Sequence, residues 1–154
     1  MRTLVFSVVM NISSNRRMRY DRQLSRPSGR LPVWRGTLHV LHGEPLFSAN
    51  CHCRSCQRAI GAGFVTWVAV KTENLEVTKG EITYCETSPG MHHGFCGRCG
   101  SSLEGHGDGW DDAYVTAATL DDPAIAKPAT NIYLDHQQPW VIIDKTLRCF
   151  AQFS

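Results

Sequence analysis

The stretch "CHCRSC", residues 51–56, holds three of the chain's seven cysteines, and it restricts what the chain can become more than any other feature. Cys-x-Cys closes too small a loop for a comfortable disulfide, and an odd total leaves one thiol over. At 154 residues the chain can bury an ordinary core without covalent staples. Clustered thiols then read as metal ligands in a reducing compartment, and the cytoplasm is the expected location. Zinc takes four tetrahedral ligands with thiolates about 2.3 Å away; structural sites use four protein ligands, catalytic sites keep one position open. Cys51, Cys53 and Cys56 supply three sulfurs, leaving a fourth place for water, a substrate thiol or another side chain. That is the pattern of a reactive site. The alternative is that the three join Cys96 or Cys99 in one closed structural site.

A second pair stands in "FCGRCGSS", where Cys96 and Cys99 form a Cys-x2-Cys knuckle and Gly97 and Gly100 permit the tight turn it needs. Alone, this knuckle is half a site. Arg54 and Arg58, beside the first cluster, are candidates to stabilise thiolates and receive an anionic ligand, or else are solvated surface cations. His52, His92 and His93 are candidate fourth ligands or proton donors, although packing or surface roles are commoner for such histidines. Cys85 and Cys149 read as buried apolar residues. No side chain is singled out as catalytic.

Charge divides the chain. The net charge of +2 conceals a head, residues 1–36, with eight arginines, no lysine and one acid, Asp21, and therefore +7, against −5 for the remainder. An arginine-only head fits a nucleic-acid arm, a transit peptide, or a disordered or non-native leader, and the last is the preferred reading. Only Tyr20 and Trp34 interleave with its cations, so nucleic acid is disfavoured as a partner. No apolar run is long enough for a bilayer span. The expected organisation is a leader over residues 1–36 and a zinc-binding domain over residues 37–154.

From residue 37 onward, short β-like runs alternate with turn signals. "GFVTWVAV" (residues 63–70) reads as a buried strand. "LEVTKGEITYCE" (residues 75–86) reads as a hairpin turning at Lys79 and Gly80. "AYVTAATL" (residues 113–120) and "QPWVIID" (residues 138–144) read as two more strands, separated by "DDPAIAKPA", which Pro123 and Pro128 keep irregular. One helical turn is expected, starting inside the cluster at "RSCQRAIGA". The fold class is mainly β.

In order and spacing, "GEPLFSANCHCRSCQRAIGAGFVTWVAV", "SPGMHHGFCGRCGSSL", "TLDDPA" and "PWVIIDKTL" closely resemble the glutathione-dependent formaldehyde-activating enzyme family, which includes centromere protein V. The resemblance spans about residues 43–154. It implies a small zinc-binding β-tent domain of short antiparallel sheets with two zinc sites. Cys51, Cys53 and Cys56 match the family's active-site zinc ligands, and Cys96 and Cys99 match half of its structural site. The implied activity is a carbon–sulfur lyase reaction on a thiol adduct, with a small-molecule thiol such as glutathione as partner. Alternatives are a non-catalytic zinc module for a protein or nucleic-acid partner, and a defective family copy. Substrate and oligomeric state stay open.

The chain departs from the family in one place. A Cys-x-Cys-Gly motif ahead of the CHC cluster completes the family's structural site, and here no cysteine precedes Cys51. The region reads "RLPVWRGTLHV". If Leu31 ends in TG, "LPVWRGTL" is encodable as xTG CCT GTG TGG CGG GGC ACT C, and the frame one base later reads Cys-Leu-Cys-Gly-Gly-Ala-Leu. The expectation is testable at the gene. Resequencing across codons 31–37 should expose the one-base shift, and restoring the frame should raise zinc from about one to about two ions per chain, because two ligands hold zinc far more weakly than four. An intact frame with two tightly held zincs in the written form overturns this account.

Overall fold

Val65 to Val70 are β-branched or aromatic at every position but Ala69, a composition suited to a pleated surface covered on both sides. The computed structural model, which describes residues 37–40, 44–120 and 122–153, places this segment at the heart of the molecule. The leader, residues 1–36, lies outside the described residues, and so do the expectations placed on it.

The strands run in chain order as β1 (Thr37–Val40), β2 (Phe47–Cys51), β3 (Val65–Lys71), β4 (Leu75–Lys79), β5 (Ile82–Ser88), β6 (Met91–Cys96), β7 (Ser102–Gly107), β8 (Asp112–Thr116), β9 (Thr130–Ile132) and β10 (Arg148–Cys149). The helix α1 (Arg54–Ile60) leaves the end of β2. Eight strands form one sheet in the order β10-β9-β2-β3-β8-β7-β6-β5, while β1 and β4 pair separately. The domain is mainly β, as expected. Most pairings are antiparallel, but β2 with β9 and β9 with β10 run parallel.

Side chains alternate across β3, so one strand serves two cores. Val65 and Trp67 pack with Ala49, Cys51, Cys56 and Ile132 on one face, and Val68 and Val70 pack with Ala113, Val115, Ala117 and Leu120 on the other. A buried polar ladder ties the adjoining strands: Thr66 Oγ1 donates to Asn50 Oδ1 at 2.7 Å, Asn50 Nδ2 donates to Asn131 Oδ1 at 3.0 Å, and Asn131 Nδ2 donates to the Asp144 carbonyl at 3.0 Å. No helix among the described residues is long and apolar enough to cross a membrane.

The strand expected over residues 63–70 appears as β3. That over residues 113–120 appears as β8 but ends at Thr116 and passes into a 3-10 turn, Ala117–Thr119. Three expectations are corrected. Residues 75–86 do turn at Gly80, whose φ is 78°, yet β4 and β5 do not pair with each other. β4 takes its backbone partners from β1 and β5 from β6, so the true hairpin turns at Pro89 and Gly90. Residues 138–144 form no strand, because Pro139 has no N–H to give, the Val141 amide closes a turn on the Gln138 carbonyl at 3.0 Å, and the Val141 carbonyl is taken by Gln137 Nε2 at 2.8 Å. Cys85 and Cys149 are exposed rather than buried, because β5 and β10 are the two edges of the large sheet.

The two-faced packing of β3 predicts a sharp contrast in stability. Val68→Ala, at a site fully shielded from water, should cost about 2 kcal/mol in denaturant unfolding, whereas Val77→Ala, 41% exposed, should stay within about 0.5 kcal/mol. Equal losses would show that β3 does not carry the core.

Candidate metal centre

The cluster is assembled by a change of secondary structure inside six residues. Cys51 is the last residue of β2, buried between Val65 of β3 and Ile132 of β9. Cys53 is the N-cap of α1, with extended φ and ψ of −63° and 152°, and its sulfur accepts the Cys56 amide at 3.4 Å. A cap side chain reaches back to the third helical residue, and here that residue is itself a cysteine. The three sulfurs therefore lie within 4.8 Å of one another.

Gln57 fixes this junction. It is 4% exposed, and its Nε2 donates to the carbonyls of His52 at 2.6 Å and His136 at 2.9 Å. Its Oε1 accepts from Gln138 at 2.8 Å and from the Arg54 guanidinium. Gly61 ends the helix in the left-handed region, φ 71°, with its amide on the Gln57 carbonyl.

Three thiols so close cannot all ionise without a cation between them. Thiols of Cys51 and Cys56 donate to Cys53 and hold its pKa down at about 2, helped by the Cys56 and Ser55 amides. The same sharing works against its neighbours. Cys51 is raised far above the thiol range, chiefly by its bonds to Cys53 and Cys56, and Cys56 is pushed up to about 12 by Cys53 and burial despite an opposing contribution from Cys51. At neutral pH the cluster is one thiolate solvated by two thiols. The soft, closely spaced donor set fits a thiophilic divalent metal.

Above the sulfurs opens a cavity of about 640 Å³, lined by the three cysteines and by aromatic side chains from two strands and three loop segments, Trp67, Trp110, Tyr114, Tyr133 and Phe153 among them. Tyr133 holds φ 59°, the sole left-handed residue other than glycine among the described residues, immediately after the strand that pairs with Cys51. Burial, reinforced by the nearby cysteine cluster, pushes its hydroxyl pKa up. His93 is 4% exposed, lines the cavity and carries an Nδ1 without a hydrogen-bond partner; burial lowers its pKa and keeps the ring neutral. Gly105 makes room for that ring, since a Cβ there would stand 3.1 Å from His93 Cδ2.

The remaining candidates fall elsewhere. Arg54 and Arg58 are exposed, and neither lines the cavity. His52, 1% exposed, stacks on Phe64 with ring centroids 5.1 Å apart, a packing position. His92 pairs with Asp108 at 2.8 Å and stacks on His106 at 5.1 Å. Cys96 is buried at the end of β6, and Cys99 is exposed and shares a hydrogen bond with Ser101 at 3.2 Å. Among the described residues no third metal-ligating side chain joins these two. Of the cavity residues, Tyr133 and Trp110 carried no periodic signal; the Asp108-Gly109 turn before Trp110 was the only hint.

Fold and site together define a small, mainly β protein with a three-thiol cluster able to hold a metal at the base of an aromatic cavity. Residues 37–136 match the family described as glutathione-dependent formaldehyde-activating enzyme, and the chain belongs to that family. A crystal structure of a Rhodobacter sphaeroides protein is similar at 21% identity and a TM-score of 0.44, over 56% of this chain and 78% of that one. No curated protein matches the chain significantly.

The proton inventory makes a prediction. Cys53 is already a thiolate at neutral pH, while Cys51 and Cys56 are thiols, so a divalent metal bound by all three sulfurs must displace about two protons. Affinity should fall about 100-fold for each unit of falling pH, measured by chelator competition between about pH 6 and 8. An affinity independent of pH would mean that all three sulfurs are ionised before metal arrives.

Proposed function

We propose that the protein is a zinc-dependent enzyme of the carbon–sulfur lyase type, joining an aldehyde to a thiol and reversing that union, with glutathione or another thiol as carrier. The supporting observation is the base of the cavity: three sulfurs, one ionised, facing a space large enough for a ligand. Zinc with sulfurs at about 2.3 Å sets them about 3.8 Å apart, compatible with three sulfurs that lie within 4.8 Å of one another, and three protein ligands are the number used by catalytic sites. When bound, zinc acts as a Lewis acid that lowers the pKa of a coordinated thiol.

The chain's own residues supply the rest. Cys51, Cys53 and Cys56 hold the metal, and the aromatic walls keep water from the adduct. His93 and Thr87 line the cavity, and each has a buried polar atom without a partner, Nδ1 and Oγ1, so these two side chains are the candidates to hydrogen-bond the carbonyl oxygen. Tyr133, held protonated, is a further donor at the same wall. In the synthetic direction the sulfur–carbon bond forms, the carbonyl π bond breaks, and the thiol proton ends on the oxygen to give a hemithioacetal. Cys96 and Cys99 are assigned to half of a second, structural zinc site. A reducing cytoplasm suits so many free thiols.

Cys53→Ser tests the assignment. It should reduce bound zinc from about one per chain to a small fraction and lower kcat/KM for hemithioacetal cleavage more than about 100-fold, with the circular dichroism spectrum unchanged. Zinc retained in full would sink the ligand assignment, and zinc lost without any activity in the parent chain would favour a non-catalytic module.

A further inference from the structure

We propose that the cavity takes a neutral thiol, or its carbonyl adduct, with an apolar, ring-bearing body in preference to an anionic thiol such as glutathione. This rests on Cys51, Cys53 and Cys56 being the reactive end of the site.

Three observations point the same way. First, among the described residues no lysine or arginine lines the cavity. Arg54 is turned onto Gln57, and Arg58 stands at the exposed end of α1. Glutathione carries two carboxylates and one ammonium, so entry would strip water from its anions with no cation among the described lining residues to receive them.

Second, the walls are aromatic and set in place. The Trp110 indole lies on Gly107, where a Cβ would come within 2.4 Å of it, and meets Tyr114 edge-on at 5.5 Å. Tyr114 meets Phe47 edge-on at 5.8 Å in turn. Rings held this way offer faces and edges to another ring without being ordered at the moment of binding.

Third, the polar provision is small and suits one oxygen. His93 and Thr87 are lining residues, each with one buried polar atom lacking a partner, Nδ1 and Oγ1, and buried polar atoms are seldom left so unless something supplies the missing bond. A carbonyl or hydroxyl oxygen is enough for both. The volume, about 640 Å³, lies in the ordinary range for small-molecule sites.

The test uses the full chain loaded with cobalt(II), whose absorption reports thiolate coordination, titrated with phenylmethanethiol and with glutathione. Phenylmethanethiol should perturb the cobalt spectrum with a Kd at least about ten-fold below that of glutathione. Trp110→Ala should weaken phenylmethanethiol about ten-fold without altering the cobalt spectrum of the thiol-free protein, and Met91→Lys, which puts a cation on the wall, should narrow or reverse the preference. Glutathione binding as tightly as phenylmethanethiol, or more tightly, overturns the proposal. If no cobalt–thiolate band appears, the metal reading fails on its own, and the same two thiols titrated against the fluorescence of Trp67 and Trp110 then decide the cavity by the same ratio.

Discussion

Three sulfurs confined within 4.8 Å are the condition to which the rest of the domain is fitted. Left to themselves they settle as one thiolate and two thiols, an arrangement that shares protons to avoid stacking negative charge in a partly buried place. Holding them there requires a strand end, a cap and a helical turn in immediate succession, and each comes from a separate local rule. Cys51 is fixed by ladders to β3 and β9, Cys53 by its role as cap, and Cys56 by the turn that the cap initiates. Any one of these alone would leave the thiols several ångströms apart.

The junction is kept rigid by polar groups whose bonds are all taken up. Gln57 makes four side-chain hydrogen bonds from a buried position, linking α1 to the His52 carbonyl and to the loop at residues 136–138. Asn50 and Asn131 do the same across β2 and β9, the parallel pair that ends at Cys51 and Ile132. Satisfied networks of this kind specify one arrangement, because any shift leaves a buried donor or acceptor unpaired. Unpartnered buried atoms occur on both sides of the cysteines: both ring nitrogens of His52, stacked on Phe64 away from the cavity, and Nδ1 of His93 and Oγ1 of Thr87, two residues of the cavity lining.

The sequence made the cluster legible because its spacing is local: six residues contain all three sulfurs, the cap among them. β3 was legible for the same reason, since its apolar run needs no knowledge of its neighbours. The hairpin at Gly80 was misread because turn chemistry says where a chain bends and not which strand each arm will pair with; β1, far upstream, claims β4. The run at residues 138–144 was misread because apolar residues were counted before Pro139 was weighed, and Trp140 and Ile142 end up 69% and 95% exposed. The aromatic walls were illegible altogether. Trp67, Trp110 and Tyr133 come from three distant segments and meet only once the strand order is known.

Edges and interior divide the cysteines accordingly. Cys51 and Cys56 sit where the sheet and helix exclude water, and there a thiol without a metal partner is driven up in pKa. Cys85 and Cys149 lie on edge strands in solvent, and the Cys99 thiol, also exposed, is lowered chiefly by Ser101. Burial therefore sets two thiol chemistries in one chain. The buried pair resists ionisation until a cation compensates it, so metal occupancy of the cluster depends on proton release, while that of the Cys96–Cys99 knuckle depends on finding further ligands. That difference follows from position in the sheet, which the spacing of the cysteines along residues 51–149 does not reveal.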